Sequence, residues 1–100
     1  MRTILLTEKD FIGFNPRTYS GKKLDYNINL EIEGNLGWVR FKDIDVAGSI
    51  HAKTGTSIKA ETSITAGRDI KAGGGIKAGW VIKAGEGIEA GGFAPYLRIG

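Results

Sequence analysis

A three-residue unit returns every six residues through the second half of this chain. Each unit begins with isoleucine, carries a polar residue in the middle and ends with alanine, and from residue 66 onward a glycine follows each alanine. The units are Ile58-Lys59-Ala60, Ile64-Thr65-Ala66, Ile70-Lys71-Ala72, Ile76-Lys77-Ala78, Ile82-Lys83-Ala84 and Ile88-Glu89-Ala90. A short fixed period predicts one structural unit per repeat, with each unit stacked on its neighbours.

The alternation within each unit predicts a short β-strand rather than a helix. Apolar residues at the first and third positions lie on one face of a strand, and the polar middle residue lies on the other. A six-residue spacing would drift around a helix of about 3.6 residues per turn. Isoleucine favours strands, whereas glycine suits corners where backbones approach closely or φ is positive. The sequence therefore predicts an all-β fold, a short parallel β-helix (β-solenoid) with isoleucine and alanine pointing inward.

The repeat leaves the length of one turn open, but the polar positions favour three hexads per turn. With three hexads, Lys71 lies beside Glu89, and Lys59 lies beside Lys77. With two hexads, Lys59, Lys71 and Lys83 would form a continuous ladder of like charge. Like charges directly opposed across strands are unfavourable. We therefore expect three hexads per turn.

The rest of the chain is predicted to close the ends of this coil within one domain. We expect residues 1–43 to form an N-terminal β cap together with the first strands. Residues 44–92 form the hexapeptide-repeat β-solenoid, and residues 93–100 form a C-terminal capping strand. Repeat folds need about three units plus caps before their core closes. The ends must therefore be covered by these segments or by another subunit.

Two interpretations of the stretch before the regular coil stay open. Residues 26–33 alternate apolar and polar side chains, and Gly34-Asn35 is a turn signal, so residues 36–42 can return as the second strand of a hairpin. Alternatively, Leu30-Glu31-Ile32 and Leu36-Gly37-Trp38 are already degenerate repeats.

An insertion interrupts the period just before the first regular unit. Ile50 and Ile58 are eight residues apart instead of six, so the stretch between them holds two extra residues. Insertions in solenoids leave the coil as small loops and often carry function, although a tolerated corner bulge explains the same pattern. The candidate insertion loop consists of Lys53, Thr54, Gly55, Thr56 and Ser57.

Composition narrows the classes of function. The chain of 100 residues has a net charge of +3 and no cysteine, and its basic excess is spread along the sequence. No apolar run predicts a signal peptide or a membrane span. His51 is the single histidine and takes the outward middle position of its unit, with no nucleophile and base pattern beside it. We therefore expect no enzyme activity, no catalytic residues, no bound metal, no cofactor and no membrane contact.

The repeats resemble three kinds of protein. They are similar to hexapeptide-repeat acyltransferases, except that the large and small apolar positions are exchanged in the order Ile-x-Ala-Gly-x-x. They also resemble bactofilins, which are short β-solenoids that polymerise end to end. The runs Gly-Ile-Lys-Ala-Gly-Trp and Gly-Glu-Gly-Ile-Glu-Ala-Gly resemble repeats in small proteins of prophages and mobile elements, a group that includes anti-CRISPR inhibitors. This last resemblance implies the cytoplasm of a bacterial host.

Three functions follow as expectations. The first is a non-enzymatic phage or mobile-element inhibitor that binds a host defence complex stoichiometrically through one solenoid face. Its partner is then a protein, and a host complex that contains nucleic acid falls within this expectation. The second is a structural solenoid that assembles with itself through an end or a face, and the third is a nucleic-acid-binding module. The candidate binding residues are Lys59, Lys71, Lys77, Lys83 and Trp80, although lysines at these positions also serve simply to keep a solenoid soluble.

Overall fold

The structure is a computed structural model that describes residues 1–14, 16–91 and 97–99. Within these ranges it holds fourteen β-strands and a short 3₁₀ turn at Glu8–Asp10. The strands are β1 (Arg2–Leu6), β2 (Phe11–Ile12), β3 (Arg17–Tyr19), β4 (Ile28–Ile32), β5 (Gly37–Phe41), β6 (Ile44–Val46), β7 (Ile50–Ala52), β8 (Thr56–Ala60), β9 (Ser63–Ala66), β10 (Asp69–Ala72), β11 (Ile76–Ala78), β12 (Val81–Ala84), β13 (Gly87–Ala90) and β14 (Leu97–Ile99). No helix in the described ranges is long and apolar enough to cross a membrane.

The strands form three sheets around one coil. Sheet A contains β1, β4, β7, β10 and β13, sheet B contains β2, β3, β5, β8 and β11, and sheet C contains β6, β9, β12 and β14. From β4 to β13 the chain visits sheets A, B and C in turn and then returns to A one level further along the coil. The paired strands are parallel except for β2, which runs antiparallel to β3. The predicted all-β parallel solenoid is confirmed.

The strand register confirms three hexads per turn in the regular repeats. Ile64 pairs with Ile82 in sheet C, and Ile58 pairs with Ile76 in sheet B, so both pairs of partners are separated by three hexads. One turn earlier, Ile44 pairs with Ile64, which is two positions further along the chain than three hexads would reach. The earlier turn therefore consists of three hexads plus the two inserted residues.

The core is a stack of identical layers. The isoleucines of the units between residues 50 and 84 have no exposed surface, and the alanines of these units are at most 6% exposed. Because the strands are in register, Ile50 packs on Ile70, Ile58 on Ile76 and Ile64 on Ile82 in successive turns. Burying one such side chain contributes roughly 1.5–3 kcal/mol. The isoleucines that stack inside each of the three sheets are the main source of apolar stabilisation in the regular coil.

The hairpin interpretation is wrong, because β4 and β5 lie in different sheets of the coil. β4 pairs with β7 in sheet A, and β5 pairs with β8 in sheet B. The repeat interpretation is right for Leu30-Glu31-Ile32, which aligns with Ile50-His51-Ala52. The second degenerate unit is Val39-Arg40-Phe41, aligned with Ile58-Lys59-Ala60, rather than Leu36-Gly37-Trp38. The shift arises because the corner between β4 and β5 is longer than the corners of the later repeats.

Aromatic packing closes the N-terminal end of the coil. Phe11 meets Tyr19 and Phe41 edge-on, with ring centroids 6.0 and 5.8 Å away, and Tyr19 stacks on Phe41 at 5.2 Å. Within residues 1–43, β4 and β5 are already strands of the coil. At the other end β14 pairs with β12. The remainder of the predicted capping strand 93–100 lies outside the described residues.

The glycine that follows the alanine is required by a close approach between turns. At Gly67 a Cβ atom would overlap the carbonyl oxygen of Ala47 in the turn below. The N–H of Gly67 donates to the carbonyl of Val46 at 2.9 Å, which holds the two corners together. Gly67 is not among the glycines with positive φ. At this corner, close backbone packing rather than unusual backbone torsion therefore explains the glycine.

Replacing Gly67 by alanine is expected to destabilise the fold by about 1–3 kcal/mol, because the new methyl group forces the backbone near Ala47 to move. Gly87→Ala is the matched control, since nothing lies within 4 Å of a Cβ placed there. The control is expected to change the free energy of unfolding by less than about 1 kcal/mol. Urea unfolding followed by circular dichroism measures both variants. Equal losses of stability would contradict the close-approach explanation.

Candidate binding face

The outward middle residues stack into one column on each face of the coil. The sheet A column is Leu5, Glu31, His51, Lys71 and Glu89. The sheet B column is Thr18, Arg40, Lys59 and Lys77. The sheet C column includes Asp45, Thr65 and Lys83. The four candidate lysines are therefore divided among three faces, and among them Lys59 and Lys77 are the pair that the fold brings together.

Lys71 lies on a face where its charge is matched. Its ammonium group is 3.7 Å from the carboxylate of Glu89, the next residue of the column, as a turn of three hexads predicts. Two positions before Lys71 in this column, Glu31 lies 3.8 Å from Lys53. Exposed pairs of this kind contribute at most about 1 kcal/mol each to stability. They nevertheless give sheet A a mixed surface, so Lys71 does not extend a basic one.

A hydrogen-bonded ladder runs beside this column on sheet A. The Oδ1 of Asn29 accepts a bond from the backbone N–H of Ser49 at 2.9 Å, and the Ser49 hydroxyl donates to the carboxylate of Asp69 at 2.7 Å. The Ser49 bond lowers the pKa of Asp69, outweighing the opposite effect of partial burial. The ladder joins three successive turns, so these polar groups serve the fold.

Lys83 and Trp80 lie around a corner from Lys59 and Lys77. Lys83 is exposed on sheet C and pairs in register with Thr65. Trp80 occupies the corner between β11 and β12, where 73% of its surface is exposed. Its backbone N–H donates to the carbonyl of Thr62 at 2.8 Å. Trp80 therefore lies outside the core, but it is not on the strands that carry the lysine pair.

Sheet B carries a column in which three cations follow one another. Arg40 pairs in register with Lys59, and Lys59 pairs with Lys77. Neighbouring strands are about 4.8 Å apart, and like charges directly opposed at this spacing repel. Arg40 is relieved by an ion pair with Glu61. Lys59 and Lys77 are exposed and form no salt bridge with any residue that the structure describes.

A shallow groove lies beside the two lysines. Its volume is about 200 Å³, and it is lined by Pro16, Trp38, Lys59 and Lys77. Trp38 pairs in register with Ser57, whose Oγ accepts a bond from the N–H of Gly75 at 2.8 Å. Ser57 and Gly75 are small residues. The half-buried indole of Trp38 forms one wall of the groove, next to Lys59 and Lys77.

Trp38 is a candidate that the sequence interpretation missed. Leu30 and Val39 occupy the first positions of consecutive units but are nine residues apart, three more than in the regular hexads. The position of Trp38 depends on this corner length, which the repeat does not specify. Aligning Val39-Arg40-Phe41 with Ile58-Lys59-Ala60 would have placed Trp38 beside Ser57 on the face that carries Lys59.

The predicted insertion loop is a packed corner of the coil. Lys53 and Thr54 are exposed, Gly55 has a φ of 83°, and Thr56 is completely buried. The Thr56 hydroxyl donates to the carbonyl of Glu33 at 2.5 Å and accepts a bond from the N–H of Leu36 at 3.2 Å. Thr56 and Ser57 are already part of β8.

This corner also bonds through its backbone to the long corner of the turn below. The N–H of Asn35 donates to the carbonyl of Thr54, and the N–H of Gly37 donates to the carbonyl of Gly55, both at 2.9 Å. The corner with the two inserted residues therefore stacks on the preceding corner, which is three residues longer than in the regular hexads. Of the five candidates, Lys53 and Thr54 are the exposed side chains.

Replacing Thr56 by valine is expected to cost about 1–3 kcal/mol of stability, because it leaves the carbonyl of Glu33 and the N–H of Leu36 without their hydroxyl partner. Thr54→Val makes the same chemical change at an exposed position of the same corner and is expected to stay within about 0.5 kcal/mol of the unaltered protein. Thermal unfolding of both variants checks the difference. A similar effect of the two substitutions would show that the buried hydroxyl does not hold the corner.

Neither the described side chains nor the comparisons with known proteins identify a chemistry. Within residues 1–14, 16–91 and 97–99, no group of three or more His, Cys, Asp or Glu side chains is placed to hold a metal ion. No protein-family model, curated protein or solved structure matches this chain. The β-solenoid is thus established by the structure, and the resemblances to acyltransferases, bactofilins and prophage proteins stay predictions.

Proposed function

We propose that this protein is a non-enzymatic binding protein that presents the outer face of sheet B to an acidic surface of a macromolecular partner. The observation that carries this proposal is the stacked column of Arg40, Lys59 and Lys77 with Trp38 at its side. The resemblance to prophage proteins adds a finer proposal. The partner is then a bacterial host defence complex, which the protein inhibits stoichiometrically in the cytoplasm, as anti-CRISPR inhibitors do.

The uncompensated lysines of sheet B are an argument for a partner. Lys59 and Lys77 oppose each other directly, whereas Lys71 is opposed by Glu89. Opposite charges that face each other on neighbouring strands stabilise a sheet by roughly 0.2–1 kcal/mol, and like charges in the same position destabilise it by a similar amount. An acidic partner removes this repulsion when it binds, so relief of the repulsion favours the complex.

The fold also holds these side chains on a rigid backbone. β8 carries Lys59 and pairs with β5 on one side and β11 on the other. Ile58 and Ala60, the residues on either side of Lys59, are buried in the core. A backbone that is ordered before binding loses little conformational entropy in the complex. Trp38 rather than Trp80 is the aromatic residue that shares this face, and tryptophan is enriched among residues that dominate binding energy.

Two double variants with the same charge change test the proposal. Lys59→Gln/Lys77→Gln neutralises sheet B, and Lys71→Gln/Lys83→Gln neutralises one lysine on each of the other faces. We expect the sheet B variant to retain a bacterial partner at least about tenfold more weakly than the unaltered protein, because both charge contacts are lost. The control variant should retain it normally. Quantitative pull-down with the immobilised proteins measures retention, and circular dichroism verifies that both variants are folded.

Equal retention by the two double variants would remove sheet B from the binding mechanism. Stronger loss in the control would transfer the contact to sheet A or sheet C. A partner that is recovered in a fixed one-to-one ratio and loses its own activity in the complex would support the finer proposal of a stoichiometric inhibitor.

A second candidate function, assembly with further copies of the same chain, is favoured by the N-terminal end of the coil. Of the six large hydrophobic residues that are exposed in the described structure, five lie within the first 26 residues of the chain. They are Met1, Leu5, Ile12, Phe14 and Tyr26. β1 is also a terminal strand of sheet A, and such strands offer unpaired backbone groups to another chain.

If copies associate through this end, the molar mass rises with protein concentration. Leu5→Lys is then expected to hold the mass at that of a single chain, because a charge on an edge strand opposes pairing. Trp80→Lys, which also replaces an exposed hydrophobic residue but lies in a distant corner, should leave association unchanged. Light scattering coupled to size exclusion measures the mass. A constant single-chain mass for the unaltered protein would exclude this candidate.

A further inference from the structure

The groove on sheet B combines an aromatic wall with two ammonium groups. We infer that this groove binds single-stranded nucleic acid, with a base stacked on Trp38 and backbone phosphates paired with Lys59 and Lys77. The inference rests on the proposed function, because it names the chemistry of the acidic surface that sheet B contacts. The nucleic acid is then a component of the partner complex or a free strand.

The spacing of the charges fits a linear polyanion. Lys59 and Lys77 are register partners on adjacent strands, so their backbones are about 4.8 Å apart along the coil. Each ammonium group ends a flexible four-carbon chain, and both side chains are exposed. The two groups can therefore follow consecutive phosphates of a strand that runs along the coil axis. Arg40 continues the row, although its ion pair with Glu61 already neutralises it.

The aromatic wall distinguishes a single strand from other polyanions. A single strand exposes the planar faces of its bases, and stacking on aromatic side chains is how many proteins bind it without sequence preference. A duplex presents phosphates but keeps its base faces stacked inside. An acidic peptide satisfies the lysines and offers Trp38 no planar partner. A single strand contacts both lysines through its phosphates and Trp38 through a base.

The shape of the groove agrees with this assignment. The residues that follow Trp38 in its column are Ser57 and Gly75, so the surface beside the indole lacks bulky side chains. Pro16 also lines the groove, whose volume of about 200 Å³ is enough for one planar ring system. The groove therefore takes one base at a time while the phosphates continue along the lysine column.

Tryptophan fluorescence tests the inference directly. The chain has two tryptophans, so Trp80→Phe leaves Trp38 as the single reporter and Trp38→Phe leaves Trp80. Oligothymidylate and oligouridylate of about ten nucleotides, within the range of known single-strand sites, are the probes. We expect both probes to quench the Trp80→Phe variant at low salt and neither to quench the Trp38→Phe variant.

Affinity and its salt dependence separate the two kinds of contact. Trp38→Ala should weaken binding roughly five- to 150-fold, the range for loss of one stacked base. Each phosphate contact to a single strand adds about 0.7 to the slope of log affinity against log salt. Lys59→Gln/Lys77→Gln should therefore reduce this slope by about 1.4, and Lys71→Gln/Lys83→Gln should leave it unchanged.

The inference is overturned if neither probe binds at low salt, or if Trp80 is quenched in place of Trp38. It is also overturned if poly-glutamate competes as well as the oligonucleotides and binding is insensitive to Trp38→Ala, since that result identifies an acidic protein surface. Lysine-dependent retention of a partner in the pull-down would then still support the proposed function. The two proposals therefore fail separately.

Discussion

In-register stacking of each turn on the next is the constraint on which the rest of this structure depends. The register places Ile64 on Ile82 and Ala66 on Ala84, so identical side chains meet along the inside of each sheet. These contacts leave no exposed surface on the buried isoleucines of the regular repeats. The same stacking brings corner backbones close together, which explains why Gly67 tolerates no side chain above Ala47. A one-residue slip would turn every isoleucine outward, so the core enforces the register strongly.

The register that builds the core also determines which charges meet outside. Once Ile58 lies on Ile76, Lys59 must lie beside Lys77, and no rotation of the strand relieves this. On sheet A the same rule places Lys71 beside Glu89. The charges of the middle residues therefore decide whether the column on each face is mixed or of one sign. The sequence therefore determines that opposite charges meet on sheet A and like charges meet on sheet B. The sheet B column, in which Lys59 and Lys77 have no acidic neighbour in register, is the stronger indicator of a partner.

The regular coil was predictable from the sequence, whereas the candidate groove was not. The period and the unfavourable lysine ladder of a two-hexad turn were enough to predict three hexads per turn and the neighbours of Lys71 and Lys59. Corner length is a different kind of information, because it depends on bonds between corners in successive turns. The bonds from Asn35 to Thr54 and from Gly37 to Gly55 let two extended corners stack on each other. The repeat alone contains no trace of these bonds, so it neither assigns Trp38 to sheet B nor distinguishes Thr56 from a loop residue.

The extended corners also explain why the groove lies where it does. They precede β5 and β8, and the next corner, which leads to β11, has the regular length. Along this edge of sheet B the residue before each unit changes from Trp38 to Ser57 and then Gly75, while the middle position stays cationic. A large aromatic group thus has small neighbours and lies next to a row of cationic side chains, of which Arg40 is paired with Glu61. Because Trp38, Lys59 and Lys77 belong to paired strands, the fold holds their backbones in place, as preorganised binding requires.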